Sequence, residues 1–210
     1  MKRIEDYAQA FQLHWMHFAK QLELGSEQQQ SIYHRLFSAY TEPQRAYHTI
    51  QHIVECLDLL HLIRNHLDDA IAVEIAIWFH DVIYQPKSSD NELQSAELMK
   101  LICVDILNDA QLQKVYGWII ATQFHQQEEE IDLQYLLDID LAILGSSKER
   151  FAEYEQQIRF EYSWVDSDLY QVKRRAILQH FAEMQPLYQT DYFQQHLEHR
   201  AKLNLSSVLV

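Results

Sequence analysis

Residues 69–84 read DAIAVEIAIWFHDVIY, a stretch that is apolar on nearly every face of a helix until His80 and Asp81. A helix with no polar face has to be surrounded by other elements, so this one belongs at the centre of a core. A buried charge costs several kcal/mol unless it is paired or metal-bound. The adjacent His80-Asp81 at the end of such a stretch therefore marks either a buried hydrogen-bonded pair or a site.

The segments around this helix read as further helices. Only three glycines (Gly25, Gly117, Gly145) and three prolines (Pro43, Pro86, Pro186) punctuate the chain, too few for the turns of an all-β fold. Gly25 marks the stop of a first helix, and Ser26 with Gln29 has capping-box spacing for a second. Thr41 with Gln44 repeats that spacing, with Pro43 in the first turn, and predicts a third helix from about Glu42 past His52 toward Arg64. Ser89 with Glu92 predicts a helix reaching about Leu107, and another follows over 109–125. The segment 133–144 is apolar except for Gln134, Asp138 and Asp140 and ends at Gly145. Helical stretches near 148–164, 168–184 and 188–202 complete an all-α chain.

With 210 residues, 48% of them apolar and 23% charged, the chain is long enough to bury a core unaided and reads as a single all-helical domain over 1–210. No repeat or linker splits it. The glycine count excludes a P-loop or a dinucleotide fingerprint, each of which needs several glycines close together. A formal charge of −14 repels a phosphate backbone or an anionic membrane, so neither long nucleic acid nor a membrane is an expected partner. An anionic substrate would need a locally positive receiver, for which a metal ion is the simplest candidate. Cys56 and Cys103 form no CxxC pair, the start MKRIEDYAQAF lacks a signal-type apolar stretch, and the longest apolar run, 115–121, is too short to span a bilayer. The cytoplasm is the expected location.

Polar residues interrupt the two most apolar stretches, His80-Asp81 in one and Asp138 and Asp140 in the other. His48 and His52, four apart, would share one face of the third helix, and either is a candidate ligand. Borderline divalent metals accept imidazole nitrogen together with carboxylate oxygen. His52, His80, Asp81 and one aspartate of the 138/140 pair would make a mixed N₂O₂ set. Spacing alone does not choose between Asp138 and Asp140, which point to different faces.

At these residues the sequence resembles the HD superfamily of metal-dependent phosphohydrolases, whose signature is a histidine, an adjacent His-Asp and a distant aspartate on separate helices. His52, His80-Asp81 and Asp140 fit that order. More closely, the chain is similar to a small bacterial group of predicted metal-dependent HD phosphohydrolases. The shared landmarks are Arg45-x-Tyr47-His48-x3-His52, Phe79-His80-Asp81-x2-Tyr84, Asn91-Glu92-x2-Ser95-Ala96, Thr122-x2-His125, Asp138-x-Asp140-Leu141-x2-Leu144-Gly145, Tyr154-x4-Arg159-x-Glu161-Tyr162 and Glu198-x2-Ala201-x2-Asn204-Leu205. The stretch 47–52 also resembles the Tyr-His-Asn-x2-His segment of cyclic-nucleotide phosphodiesterases, with Thr49 in place of the asparagine.

The resemblance implies an HD-type helical bundle with its core over about 42–145 and flanking N- and C-terminal helices. It implies a hydrolase acting on ester bonds of a small phosphorylated molecule or nucleotide, with a divalent cofactor among Mg, Mn, Fe, Co, Ni and Zn. His52, His80, Asp81 and Asp140 are its metal ligands, with the Asp140-Leu141-Ala142 pattern favouring Asp140 over Asp138. Asp81 would also orient or deprotonate the attacking water, and His48 would protonate the leaving oxygen. Arg45 is expected to clamp phosphate through its bidentate fork, unless it is a solvated surface arginine. Glu92 would hydrogen-bond a ligand or the bound water, unless it merely caps a helix. Asn91, Thr122 and His125 complete the expected pocket, while Arg159, Arg174, Arg175 and Arg200 are landmarks without an assigned role. Two other classes stay open: a di-iron HD-type oxygenase, which would need additional histidine ligands, and a non-catalytic metal- or nucleotide-binding protein.

Overall fold

The computed structural model describes residues 4–209, and every regular element among them is helical. Residues 1–3, the first of the start MKRIEDYAQAF, and residue 210 lie outside the described residues. The chain divides into two compact units, one ending at Gln126 and the other beginning at Gln127. That division falls within the 42–145 stretch taken from the sequence as the core of one domain. Among the described residues no helix is long and apolar enough to cross a membrane.

The first unit contains α1 (Ile4–Gln21), α2 (Ser26–Tyr40), α3 (Ile50–Ile63), a 3₁₀ turn (Arg64–His66), α4 (Ala70–Phe79), α5 (Asn91–Cys103) and α6 (Asp109–Ala121). Helix α4 packs against α3, α5 and α6, and its Trp78 meets Phe11 and Trp15 of α1 edge-on at centroid distances of 4.9 and 5.5 Å. Every residue from Ala72 to His80 is buried, as the all-apolar stretch requires. Asp69 caps α4 by accepting from the Ala72 N–H. The helix closes earlier than its apolar run, at Phe79, where the His80 N–H still reaches the Ala76 carbonyl and the Val82 N–H reaches that of Phe79. His80 and Asp81 thus sit at a helix end, where the chain turns.

Several caps differ from those expected. Gly25 does not stop α1; Glu23 does, at φ +53°, with the Leu24 N–H on Ala19 O and the Glu23 N–H on Lys20 O, the paired bonds of a Schellman motif. Gly25 is instead the residue before α2, and no side chain caps that helix, so the Ser26–Gln29 box does not form. The third helix does not begin near residue 42. The Thr41 hydroxyl donates back to Phe37 O and Ser38 O, closing α2, and residues 41–49 form a loop of turns. Helix α3 starts at Ile50, where Thr49 caps it by accepting from the Gln51 N–H. Helix α5 starts at Asn91 after Asp90, not at a Ser89–Glu92 box, because the Ser88 hydroxyl engages the Asp90 carboxylate. A capping box does form at Asn108 and Gln111, ahead of α6.

The second unit contains α7 (Ile131–Leu141), a 3₁₀ turn (Ala142–Gly145), α8 (Lys148–Glu161), α9 (Ser167–Glu183), α10 (Asp191–Phe193), a π turn (Gln194–Glu198) and α11 (His199–Leu209). The 3₁₀ turn is its hub, touching α7, α8 and α11. A Cβ on Gly145 would stand 2.7 Å from the Leu197 Cβ and 2.9 Å from the Tyr188 hydroxyl, so glycine is there for close approach and not only to end a helix. The Asn204 amide donates to Leu144 O and Ser146 O. The Glu198 carboxylate accepts the N–H groups of Leu187 and Tyr188.

Asp138, 1% exposed, belongs to the same framework. It accepts from the Gln189 N–H at 2.8 Å, the Thr190 N–H at 2.8 Å and the Thr190 hydroxyl at 2.7 Å. Burial nevertheless pushes its carboxyl up to about 6 from an ordinary 3.8. A folded-state value above the unfolded one contributes stability that is fully present below about pH 4 and is lost as pH rises through 6. At 1.36 kcal/mol per unit the contribution is about 2–3 kcal/mol. Chemical denaturation at pH 4 and pH 7 should therefore show wild type losing about that much relative to Asp138→Asn; a constant difference between the two proteins would refute this.

Candidate metal centre

The site forms where the end of α4 meets the first turn of α3. His52, 2% exposed, is the third residue of α3, and His80, also 2% exposed, is the residue on which α4 ends. His80 Nδ1 lies 2.9 Å from the Ile77 carbonyl oxygen. A carbonyl only accepts, so Nδ1 carries the proton, and in the neutral ring Nε2 carries a lone pair. That lone pair faces Asp81 Oδ2 at 3.1 Å and His52 Nε2 at 3.2 Å, while His52 Nε2 and Asp81 Oδ2 stand 3.5 Å apart.

This is a triangle of electron-pair donors, largely removed from water. An imidazole lone pair and a carboxylate at 3.1 Å repel unless a proton or a metal cation lies between them, and burial strengthens the repulsion. Ligand atoms about 2.1 Å from a first-row divalent ion lie about 3.0–3.4 Å apart along an octahedral or tetrahedral edge. The three separations match that spacing, and two imidazoles with one carboxylate suit a borderline divalent ion. The donor set fits such a metal. The Ile77 carbonyl is the hydrogen-bond partner that a ligating histidine commonly has on its other nitrogen, fixing the ring and raising its basicity.

The surroundings are aromatic and sulfurous. Tyr47 packs on the His52 ring at a centroid distance of 4.8 Å, and Cys56 Sγ lies 3.7 Å from His52 Nδ1. His48 precedes α3 in the 41–49 loop, so the two histidines do not share a helical face, as their spacing predicted. His48 instead stacks on Tyr84 at 4.2 Å and meets Tyr47 edge-on at 4.9 Å, with 6.1 Å between its ring and that of His52.

Arg45 is neither a surface arginine nor a phosphate clamp. Its side chain is 0% exposed. The guanidinium donates to Glu42 Oε2 at 3.1 Å, His48 O at 3.1 Å, Asp81 O at 2.6 Å and Val82 O at 2.9 Å. Four of its five N–H groups are thereby committed inside the protein.

Asn91 clamps the 85–91 loop by accepting the Gln85 N–H and donating to the Gln85 carbonyl. Glu92 is half-buried in the first turn of α5. Thr122 is buried just past α6 with its hydroxyl on Ile119 O, and half-buried His125 adopts φ +46°, a strained value for a residue with a side chain. Asp140 is half-buried on the last turn of α7, in the second unit. Asp138 uses both carboxylate oxygens structurally, which answers for one member of the pair. Arg159 donates to Tyr162 O and Val165 O, Arg174 pairs with Glu155, Arg175 reaches Leu209 O and Arg200 reaches Gly145 O. All four serve the second unit's own framework. The sequence reading gave Tyr84 only as a landmark and missed the Ile77 carbonyl; nothing in residue type or spacing signals a backbone oxygen as a histidine anchor.

No protein-family model, curated protein or solved structure matches this chain.

The donor triangle predicts that function opposes stability at Asp81. In Asp81→Asn the amide N–H can donate to His80 Nε2, replacing a repulsion with a hydrogen bond worth about 1 kcal/mol. Melted in chelator, this variant should be at least as stable as wild type; with Co²⁺ added, only wild type should gain melting temperature. A chelated variant clearly less stable than wild type would contradict the arrangement of charges described here.

Proposed function

We propose that the chain is a metal-dependent phosphohydrolase of the HD type, acting on a phosphomonoester or phosphodiester of a small molecule or nucleotide. The observation that carries the reading is the convergence of His52 Nε2, His80 Nε2 and Asp81 Oδ2, with the His80 tautomer set by Ile77. The order His52, His80-Asp81 along the sequence, and its resemblance to the HD signature, support the hydrolase class in particular.

His52, His80 and Asp81 would hold a divalent ion. When bound, that ion lowers the pKa of a coordinated water toward about 7 and offsets phosphate charge. If Asp81 held the ion through Oδ2, its other oxygen would be available to orient the attacking water or take its proton. His48, whose ring stacks on Tyr84, would be the acid that protonates the departing oxygen. The −14 charge of the chain leaves the metal as the receiver for an anionic substrate, since Arg45 has no outward-facing donor.

Elemental analysis of untagged protein should find a bound divalent metal in wild type that Asp81→Ala loses with its helicity intact. A phosphatase and phosphodiesterase screen with Mg²⁺, Mn²⁺, Co²⁺ and Ni²⁺ should show phosphate release, and His48→Ala should keep the metal while losing turnover by about 10²-fold or more. Full metal retention in Asp81→Ala would remove the basis of the reading, and an unchanged rate in His48→Ala would make His48 scaffolding.

A further inference from the structure

Residues 41–49 are a loop between α2 and α3 with no regular backbone hydrogen-bonding, yet they must deliver α3, and with it His52, to a fixed place beside the end of α4. The side chain that joins the two is Arg45. Its Nη1 bonds both His48 O, in the loop, and Asp81 O, in the turn after α4; its Nη2 bonds Val82 O in that same turn. Nε is held by Glu42, whose side chain is 38% exposed. The guanidinium also lies 5.3 Å from the Tyr40 ring centroid and 5.4 Å from that of Tyr84. Tyr84 also stacks on the His48 ring. Tyr40 in turn donates from its hydroxyl to Trp78 O at 2.9 Å, two residues before His80.

We infer that Arg45 is the positioning residue of this site: one planar, permanently charged fork sets the His48 carbonyl against the Asp81 carbonyl, and so sets the separation of the His52 and Asp81 donors. The inference rests on the metal reading above. It follows from the shape of the group. Three carbonyls and one carboxylate are satisfied together by N–H groups in a single plane, which a lysine ammonium, with three donors on a tetrahedral nitrogen, cannot reproduce. The Tyr40 and Tyr84 rings pack against the guanidinium as cation–π partners, and Tyr84 passes the alignment on to His48. Arg45 touches neither substrate nor metal; it acts through the backbone of Asp81 and the ring of Tyr84. Supporting groups of this kind typically alter metal affinity 10–100-fold.

The test uses Co²⁺ alone, titrated into metal-free wild type, Arg45→Lys and Arg45→Ala, and followed by calorimetry and by the visible ligand-field spectrum. Circular dichroism checks each fold. Arg45→Lys should bind Co²⁺ at least 10-fold more weakly than wild type, with a changed ligand-field spectrum. Arg45→Ala should recover part of its affinity when millimolar guanidinium is added, which a general loss of stability would not produce. Wild-type affinity and spectrum in Arg45→Lys would overturn the inference while leaving the metal site intact; failure of wild type itself to bind any divalent ion would overturn the metal reading and the inference with it. Should both Arg45 variants fail to fold, Glu42→Gln carries the test, because it alters the exposed acceptor that Nε shares with the Gln44 amide and leaves the guanidinium in place: weaker binding with a shifted spectrum supports the role, and unchanged binding overturns it.

Discussion

The hydrogen bond from His80 Nδ1–H to the Ile77 carbonyl is the constraint around which the first unit's chemistry is arranged. It is local, spanning three residues at the end of a buried helix. It dictates which face of the imidazole is electron-rich, and the sequence then places an acidic residue that meets that face, Asp81, immediately after it. Because α4 ends at Phe79, the chain turns there and His80 and Asp81 lean toward the same point, which two successive residues inside a helix, about 100° apart, reach less easily. His52 arrives from another helix and closes the triangle. Each group is individually ordinary; their approach to 3.1–3.5 Å inside the protein is what calls for a cation.

Such an arrangement has to be held against its own repulsion, and the structure shows how. The floor is rigid: Trp78 is fully buried among Phe11, Trp15 and Tyr40, so the last turn of α4 has little freedom to withdraw. Arg45 ties the loop before α3 to the turn after α4. The buried cation also sits beneath the Asp81 backbone, adding positive charge near a cluster of donors. The second unit spends its own polar groups differently. Asp138, Glu198 and Asn204 all hold backbone segments of that unit, which is framework work and leaves their oxygens and amides engaged.

Much of this was legible in the residues. The all-apolar stretch of 69–84 placed α4 at a core centre with polar residues at its end, and the paucity of glycine and proline pointed to helices throughout. The His-Asp pair stood out because buried charge demands a reason. What sequence reading misjudged were the boundaries near the site. Thr41 and Thr49 are both competent caps; spacing favoured Thr41, but the turn after α4 recruits Arg45 and pulls 41–49 out of the helix, leaving Thr49 to start it. That single change moves His48 from the helical face of His52 to a stack on Tyr84. Arg45 was legible as a special arginine, yet its burial depends on three carbonyls, two of them 36 and 37 residues away, which no local pattern encodes.

The central claim, that His52, His80 and Asp81 converge to hold a cation, is tested most directly by X-ray absorption at the metal edge of protein reconstituted with one equivalent of Co²⁺ or Zn²⁺. The account predicts two imidazole nitrogens with oxygen donors making up the remainder, and loss of one imidazole contribution in His80→Gln. A shell of oxygen alone, or one unchanged by that substitution, would place the ion elsewhere and contradict it.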